Sequence, residues 1–92
     1  MSYIVISYDI SDDKKRSKVA NLLEDYGQRV QYSVFECRLD EQTFQQLVHK
    51  LKPFAAGNED SIRVYRICQA CLKKVILLGK GEITEQPRFF LV

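Results

Sequence analysis

The stretch Tyr3-Ile4-Val5-Ile6-Ser7-Tyr8-Asp9-Ile10 decides how the rest of the chain is arranged. It is β-branched and aromatic, holds no Gly or Pro, and carries no charge before Asp9, which is the composition of a strand. Side chains alternate across a strand, so Ile4, Ile6 and Tyr8 share one face and Tyr3, Val5 and Ser7 the other. Both faces are apolar or nearly so, as in a strand at the middle of a sheet with cover on each side. The apolar run stops at a carboxylate, and Ser11, Asp12 and Asp13 then read as the opening of a helix. One acid therefore stands where the most buried strand gives way to helix. A functional site is expected there.

Working outward, Ser11 or Asp12 can cap the first helix, and the acids of its first turn suit the positive end of the helix dipole. Val19, Leu22, Leu23 and Tyr26 recur at helical spacing and mark its buried face. Gly27 reads as a left-handed cap that ends it. Arg16 extends the same stripe into the first turn, near the end of the first strand. Its side chain has two candidate partners of equal standing: an acid, Asp9 or Asp13, or a phosphate. Residues 28–39 are too many for one flat strand in a chain of this size. They read as two short strands hinged near Tyr32-Ser33, with one bent strand as the alternative. If alternation runs through, Val30, Tyr32 and Val34 share one face and Ser33 and Phe35 the other.

Asp40 can cap a second helix with Phe44, Leu47, Val48 and Leu51 on its buried face, and Pro53 stops it. His49 falls off that stripe and reads as solvent-facing. Residues 57–60 form a loop. Ser61 to Ile67 form a strand, with Ile62, Val64 and Arg66 alternating against Arg63, Tyr65 and Ile67. Residues 73–78 read as a further strand, broken by Gly79-Lys80-Gly81.

This order predicts an α+β chain: a ferredoxin-like βαββαβ sandwich with both helices on one face of the sheet. Residues 1–92 form a single domain. Residues 82–92 form a C-terminal extension, ending in the apolar run Arg88-Phe89-Phe90-Leu91-Val92, which must pack on the domain or add a strand to a partner chain. The first strand and residues 73–78 are apolar on both faces, so the face away from the helices also needs cover. A symmetric partner is the economical solution, and a homodimer is predicted.

With 92 residues the chain makes one domain, and a hydrophobic content of 46% argues against disorder. No apolar run approaches the roughly 18–20 residues that cross a membrane, and no basic segment precedes an apolar one as in a secretory signal. A cytoplasmic location without a membrane partner is the expectation. A net charge of +2 permits nucleic acid without demanding it. Lys14, Lys15, Arg16 and Lys18 fall within about one helical turn and are candidates for nucleic-acid binding, although such clusters are more often a solvated helix face. The cysteines are Cys37, Cys68 and Cys71. Cys68-Gln69-Ala70-Cys71 stands alone as a C-x-x-C. A structural zinc takes four ligands, and nothing in the spacing of Cys37 and His49 supplies the other two. A thioredoxin-type redox motif belongs between a strand and the helix after it. The favoured reading is a turn holding two small buried thiols.

No Ser-His-Asp set, Gly-rich phosphate loop or H-E-x-x-H motif is present. One chain offers Asp9, the hydroxyls of Ser7, Tyr8 and Ser33, and basic residues. Symmetry changes the count. If two copies of the first strand approach a two-fold axis, two Asp9 carboxylates converge and can hold Mg²⁺, which prefers oxygen ligands and keeps several waters. A metal there activates water for phosphodiester attack, with Arg16, Lys18 and Arg29 on the phosphate backbone.

Tyr8-Asp9-Ile10, Arg16, and Gly27 followed by Arg29-Val30-Gln31-Tyr32-Ser33-Val34-Phe35-Glu36 together resemble the CRISPR-associated endoribonuclease family. The length, the strands placed around Cys68 and Cys71, the Leu78-Gly79-Lys80-Gly81 run and the apolar tail resemble it too, so the likeness covers nearly the whole chain. It implies a ferredoxin-like homodimer whose C-terminal strand joins the partner's sheet. It also implies a subunit of a spacer-acquisition complex that bridges two dimers of the CRISPR integrase and binds double-stranded DNA. A Mg²⁺-dependent endonuclease acting on single-stranded RNA or double-stranded DNA is implied as well. Carried onto matching positions, Asp9 would be the metal ligand, and Tyr8, Arg16, Arg29, Ser33 and Phe35 would support or surround the site. Lys18 stands where a basic residue is expected. A non-catalytic adaptor and a toxin-like ribonuclease on the same fold are the competing readings. An RNA-recognition module is disfavoured, because Arg63-Val64-Tyr65-Arg66-Ile67 does not match an RNP-type string.

Overall fold

A computed structural model describes residues 1–57 and 59–80. The expected C-terminal extension, residues 82–92, lies outside the described residues. The elements run β1 (Ser2–Asp9), α1 (Asp13–Glu24), β2 (Gly27–Gln31), β3 (Val34–Leu39), α2 (Glu41–Leu51), a 3₁₀ turn (Lys52–Ala55), β4 (Ser61–Ile67) and α3 (Gln69–Leu72). The sheet order is β2-β3-β1-β4, with every pair antiparallel. This is the predicted ferredoxin-like arrangement. The first strand holds its central place, paired with β3 on one side and β4 on the other.

Both helices pack on one face. Ile4, Ile6 and Tyr8 from β1 meet Val19, Ala20 and Leu23 from α1 and Phe44, Leu47 and Leu51 from α2, with Phe35 and Cys37 from β3 completing the core. The helix starts are those the short polar residues dictate. Asp12 accepts from the Lys15 backbone N–H at 2.8 Å, and Asp40 accepts from that of Thr43 at 2.8 Å. Pro53 falls in the 3₁₀ turn directly after α2, where the missing N–H ends the helical ladder. His49 is exposed.

Segment 28–39 is a hairpin, reversing at Tyr32-Ser33. Val30 bulges between the paired Arg29 and Gln31, a one-residue insertion that sharpens the local twist. Phe35 points into the core opposite Ile6, and Val34 faces away, so these two lie on opposite faces as the alternation predicts.

Three expectations are corrected. Gly27 is no left-handed cap, because the only positive-φ glycine among the described residues is Gly79. Asp25, in right-handed helical geometry, caps α1, and Gly27 opens β2. A Cβ on Gly27 would lie 2.2 Å from the Glu36 carbonyl oxygen and 2.6 Å from the Cys37 sulfur, so glycine is needed there for close approach of two strands. Residues 73–78 are not a strand; only Leu77 makes a bridge. Cys68 and Cys71 are not buried in a turn. Both are exposed, Cys68 as the N-cap of a short helix and Cys71 within it, and Cys37 is the buried thiol.

The face away from the helices carries a cover of its own at one end. Leu72 seats on Tyr3, with Val5, Ile67, Val75 and Leu77 packed around them. The described chain thus folds back over the start of β1. It leaves the other end, at Ser7 and Asp9, open.

Candidate functional site

Alternation along β1 puts Tyr8 and Asp9 on opposite faces of the sheet. The residues named as one site from sequence therefore form two groups. On the helix face, Tyr8 is 4% exposed and stacks on Phe35 with ring centroids 6.3 Å apart. Its hydroxyl donates to the Tyr32 carbonyl at 3.4 Å, and its backbone N–H donates to the Ser33 carbonyl at 3.1 Å. Ser33 thus contributes its carbonyl to this contact with β1. The Arg29 guanidinium lies 5.3 Å from the Phe35 ring centroid, and that of Arg16 lies 5.7 Å from Tyr32. Tyr8, Arg16, Arg29 and Tyr32, with Ser17, Asn21 and Glu24, line a cleft of about 310 Å³ between α1 and the hairpin.

Arg16 answers the question its position raised. Its guanidinium donates to the Ile10 carbonyl at 3.0 Å and the Ser11 carbonyl at 3.4 Å, and pairs with Asp13. The bond to Asp13 raises its pKa further, so it stays charged. Arg16 ties the exit of β1 to the first turn of α1, and its remaining surface faces Tyr32. Lys15 is committed as well. Its ammonium reaches Asp60 at 2.7 Å, and this bond holds the Asp60 carboxyl below its ordinary value. Lys14 and Lys18 are exposed on α1 and make no ion pair among the described residues.

On the open face, Asp9 is exposed at the end of β1, and its side chain has no hydrogen-bond or ion-pair partner among the described residues. Antiparallel pairing with β4 sets Asp9 opposite Ser61, Ser7 opposite Arg63 and Val5 opposite Tyr65. Ser7, Asp9, Ser61, Arg63 and Tyr65 line a shallow depression of about 270 Å³. Sequence reasoning passed over Ser61, Arg63 and Tyr65. The signal was available: the same two-residue period, read on β4 and paired antiparallel to β1, sets them beside Asp9.

Among the described residues, no three of His, Cys, Asp or Glu gather where a metal could be held. One carboxylate flanked by the Ser7 and Ser61 hydroxyls supplies part of an oxygen shell. Mg²⁺ bound through one or two carboxylates and waters fits if a second Asp9 faces the first. No metal site is complete among the described residues of one chain. No helix among the described residues is long and apolar enough to cross a membrane.

Comparison with known proteins agrees with this fold. A protein of Synechocystis sp. called "CRISPR-associated endoribonuclease Cas2 3" is 45% identical over 92 residues, covering 100% of both chains. The crystal structure of Streptococcus pyogenes Cas2 at pH 6.5 superposes with a TM-score of 0.70 at 35% identity, covering 84% of this chain and 99% of that one. A chain from a structure described as a partial Cas6-RT-Cas1–Cas2 complex superposes with a TM-score of 0.69 at 32% identity, covering 96% of this chain and 91% of that one. The sequence profile of the family described as CRISPR associated protein Cas2 matches residues 1–75. With the sheet order, the Tyr8-Asp9 exit of β1 and the hairpin that follows α1 all in place, this chain belongs to the CRISPR associated protein Cas2 family.

Proposed function

We propose that this chain serves CRISPR spacer acquisition as a dimeric, duplex-DNA-holding subunit seated beside the integrase. The observation that carries the reading is the solvent-facing cationic surface of α1, where Lys14 and Lys18 make no ion pair among the described residues while Lys15 and Arg16 are held by Asp60 and Asp13. Free ammonium groups on a rigid helix bind phosphates without reading sequence, as a holder of arbitrary incoming DNA requires. The chain belongs to a family with a relative of similar fold in a Cas1–Cas2 assembly, which supports the integrase as partner.

A second reading, metal-dependent phosphodiester hydrolysis, is favoured by Asp9, an exposed strand-end carboxylate whose side chain has no hydrogen-bond or ion-pair partner among the described residues. In a dimer that brings two Asp9 side chains together, the carboxylates would hold Mg²⁺, with Ser7 and Ser61 able to hydrogen-bond its waters. The metal, when bound, would supply a lowered water pKa and charge stabilisation at the phosphate. Arg63 on the same face would place the scissile phosphate. Relatives named as endoribonucleases support this activity on RNA.

The test separates the two. Lys14→Glu with Lys18→Glu should weaken duplex binding and make the slope of log affinity against log salt shallower by about 1–2. Asp9→Ala should leave that slope unchanged and abolish Mg²⁺-stimulated cleavage. Unchanged DNA binding in the double variant refutes the holder reading. Undiminished cleavage in purified Asp9→Ala refutes the hydrolytic one.

A further inference from the structure

The C-x-x-C segment lies where a redox dithiol requires it. Cys68 directly follows β4, and its sulfur caps α3, accepting from the Cys71 backbone N–H at 3.4 Å. The motif thus sits between a strand and the helix after it, the placement that a thioredoxin-type redox motif takes. Both thiols are exposed. Cys68 has extended backbone geometry, φ −71° and ψ 165°, outside the helical turn that holds Cys71. Side chains three apart on a helix stand about 5–6 Å apart at Cβ, and a disulfide wants about 3.5–4.5 Å. A cap residue free of the helical backbone closes that gap with a small rotation.

We propose that Cys68 and Cys71 form a reversible intramolecular disulfide that locks α3 onto the open face of the sheet. The two thiols are unequal, as nucleophile and resolving group must be. The Cys71 N–H lowers the pKa of Cys68, while the hydrogen bond to Cys68 raises that of Cys71. The oxidant is a small-molecule disulfide of the glutathione class. The Cys68 thiolate attacks one of its sulfurs, forming a mixed disulfide and expelling one small thiolate. Cys71 then loses its proton, attacks the Cys68 sulfur and expels the second. The protein gives up two protons and two electrons, and the small disulfide becomes two thiols. Cys37 takes no part. It is 0% exposed, and burial pushes its thiol up to about 11.

The consequence is local. Leu72, the residue after Cys71, is the anchor that seats on Tyr3, and Val75 and Leu77 follow it across the sheet. A four-residue helix is marginal alone, since nucleation is costly. A bond closing its first turn removes open conformations and holds this cover in place.

The full chain would be equilibrated in buffers of reduced and oxidised glutathione, quenched, alkylated and weighed intact. The expected product has lost two hydrogens within one chain, with the bond mapped to the peptide containing Cys68 and Cys71. Cys37→Ser should behave the same. Cys71→Ser should stop at a stable glutathione adduct on Cys68, which a merely exposed pair of thiols would not direct to one position. Backbone amide exchange at Leu72 and Lys73 should slow several-fold on oxidation. Both thiols remaining alkylatable in excess oxidised glutathione would overturn the proposal. So would a disulfide joining two chains, or stoichiometric zinc uptake by the reduced pair that protects it from oxidation.

Discussion

Replacing Gly27 with alanine places a methyl group where two strands have no room for it. The new Cβ would lie 2.2 Å from the Glu36 carbonyl oxygen, 2.6 Å from the Cys37 sulfur and 2.9 Å from the Cys37 Cα. Ordinary contact begins near 3.4 Å, so β2 must retreat from β3 by about 1.2 Å. The obstructing atoms include backbone of β3, which β1 holds along its length, so they cannot swing aside as a long side chain would. A shift of that size carries ladder hydrogen bonds from about 2.9 Å beyond bonding range. Overpacking costs about 1–3 kcal/mol, and each displaced bond about 0.5–1.5 kcal/mol. Reduced freedom of the unfolded chain returns only about 0.4–1 kcal/mol. The net loss should be about 2–3 kcal/mol, or about 10–20 °C in Tm for a domain of this size. Urea and thermal denaturation at fixed protein concentration measure it, with Gly79→Ala as the contrast. Gly79 has φ +88° and no atom within 4 Å of an added Cβ, so its substitution carries backbone strain alone, of order 1 kcal/mol. A Gly27→Ala chain within about 0.5 kcal/mol of wild type would refute the reasoning, because surface changes alone fall in that range.

Acid should destabilise the protein through identified carboxylates. Asp40 is held below its ordinary pKa by its bonds to Thr43, Glu41 by Gln45 and then Arg66, and Asp60 by Lys15. A lowered folded-state value contributes stability above the unfolded value, near 4, and loses it as pH falls through the folded value. Tm measured from pH 6 downward should fall below about pH 4, with a flatter acid limb in Asp60→Asn; an unaltered limb would show that the Lys15 pair contributes nothing. Leu23→Ala, at a fully buried core position, should cost about 2–5 kcal/mol in urea denaturation, while Lys18→Ala should stay within about 0.5 kcal/mol.

The architecture was legible where one local signal had one structural meaning. The uncharged β-branched run of β1 has no good home except a sheet centre, and Asp12 and Asp40 begin helices because short acids accept from freed N–H groups. The hairpin at Tyr32-Ser33 was legible from length alone. Gly27 misled because a glycine after a helix serves two purposes, and only the position of β3 decides between positive φ and close approach. Residues 73–78 misled because their apolar character belongs to a coil lying across β1, where Val75 and Leu77 pack on the sheet face. The site was half legible. Asp9, Tyr8, Arg16 and Phe35 were each named, and the alternation that parts Asp9 from Tyr8 was already written in β1. Arg63 needed the antiparallel register with β4, which pairs it with Ser7, 56 positions away in sequence.

The central strand acts as a two-sided ruler. Substitutions can retune the cleft behind Tyr8 or the depression before Asp9 one at a time, since neighbouring residues report to different sides. An inserted or deleted residue in β1 has no such privacy. It would exchange the two inventories wholesale, driving a carboxylate among Val19 and Leu23 and expelling a tyrosine into water. Changes of length are therefore confined to the connections, and the strand between Ser2 and Asp9 can vary only in what it carries.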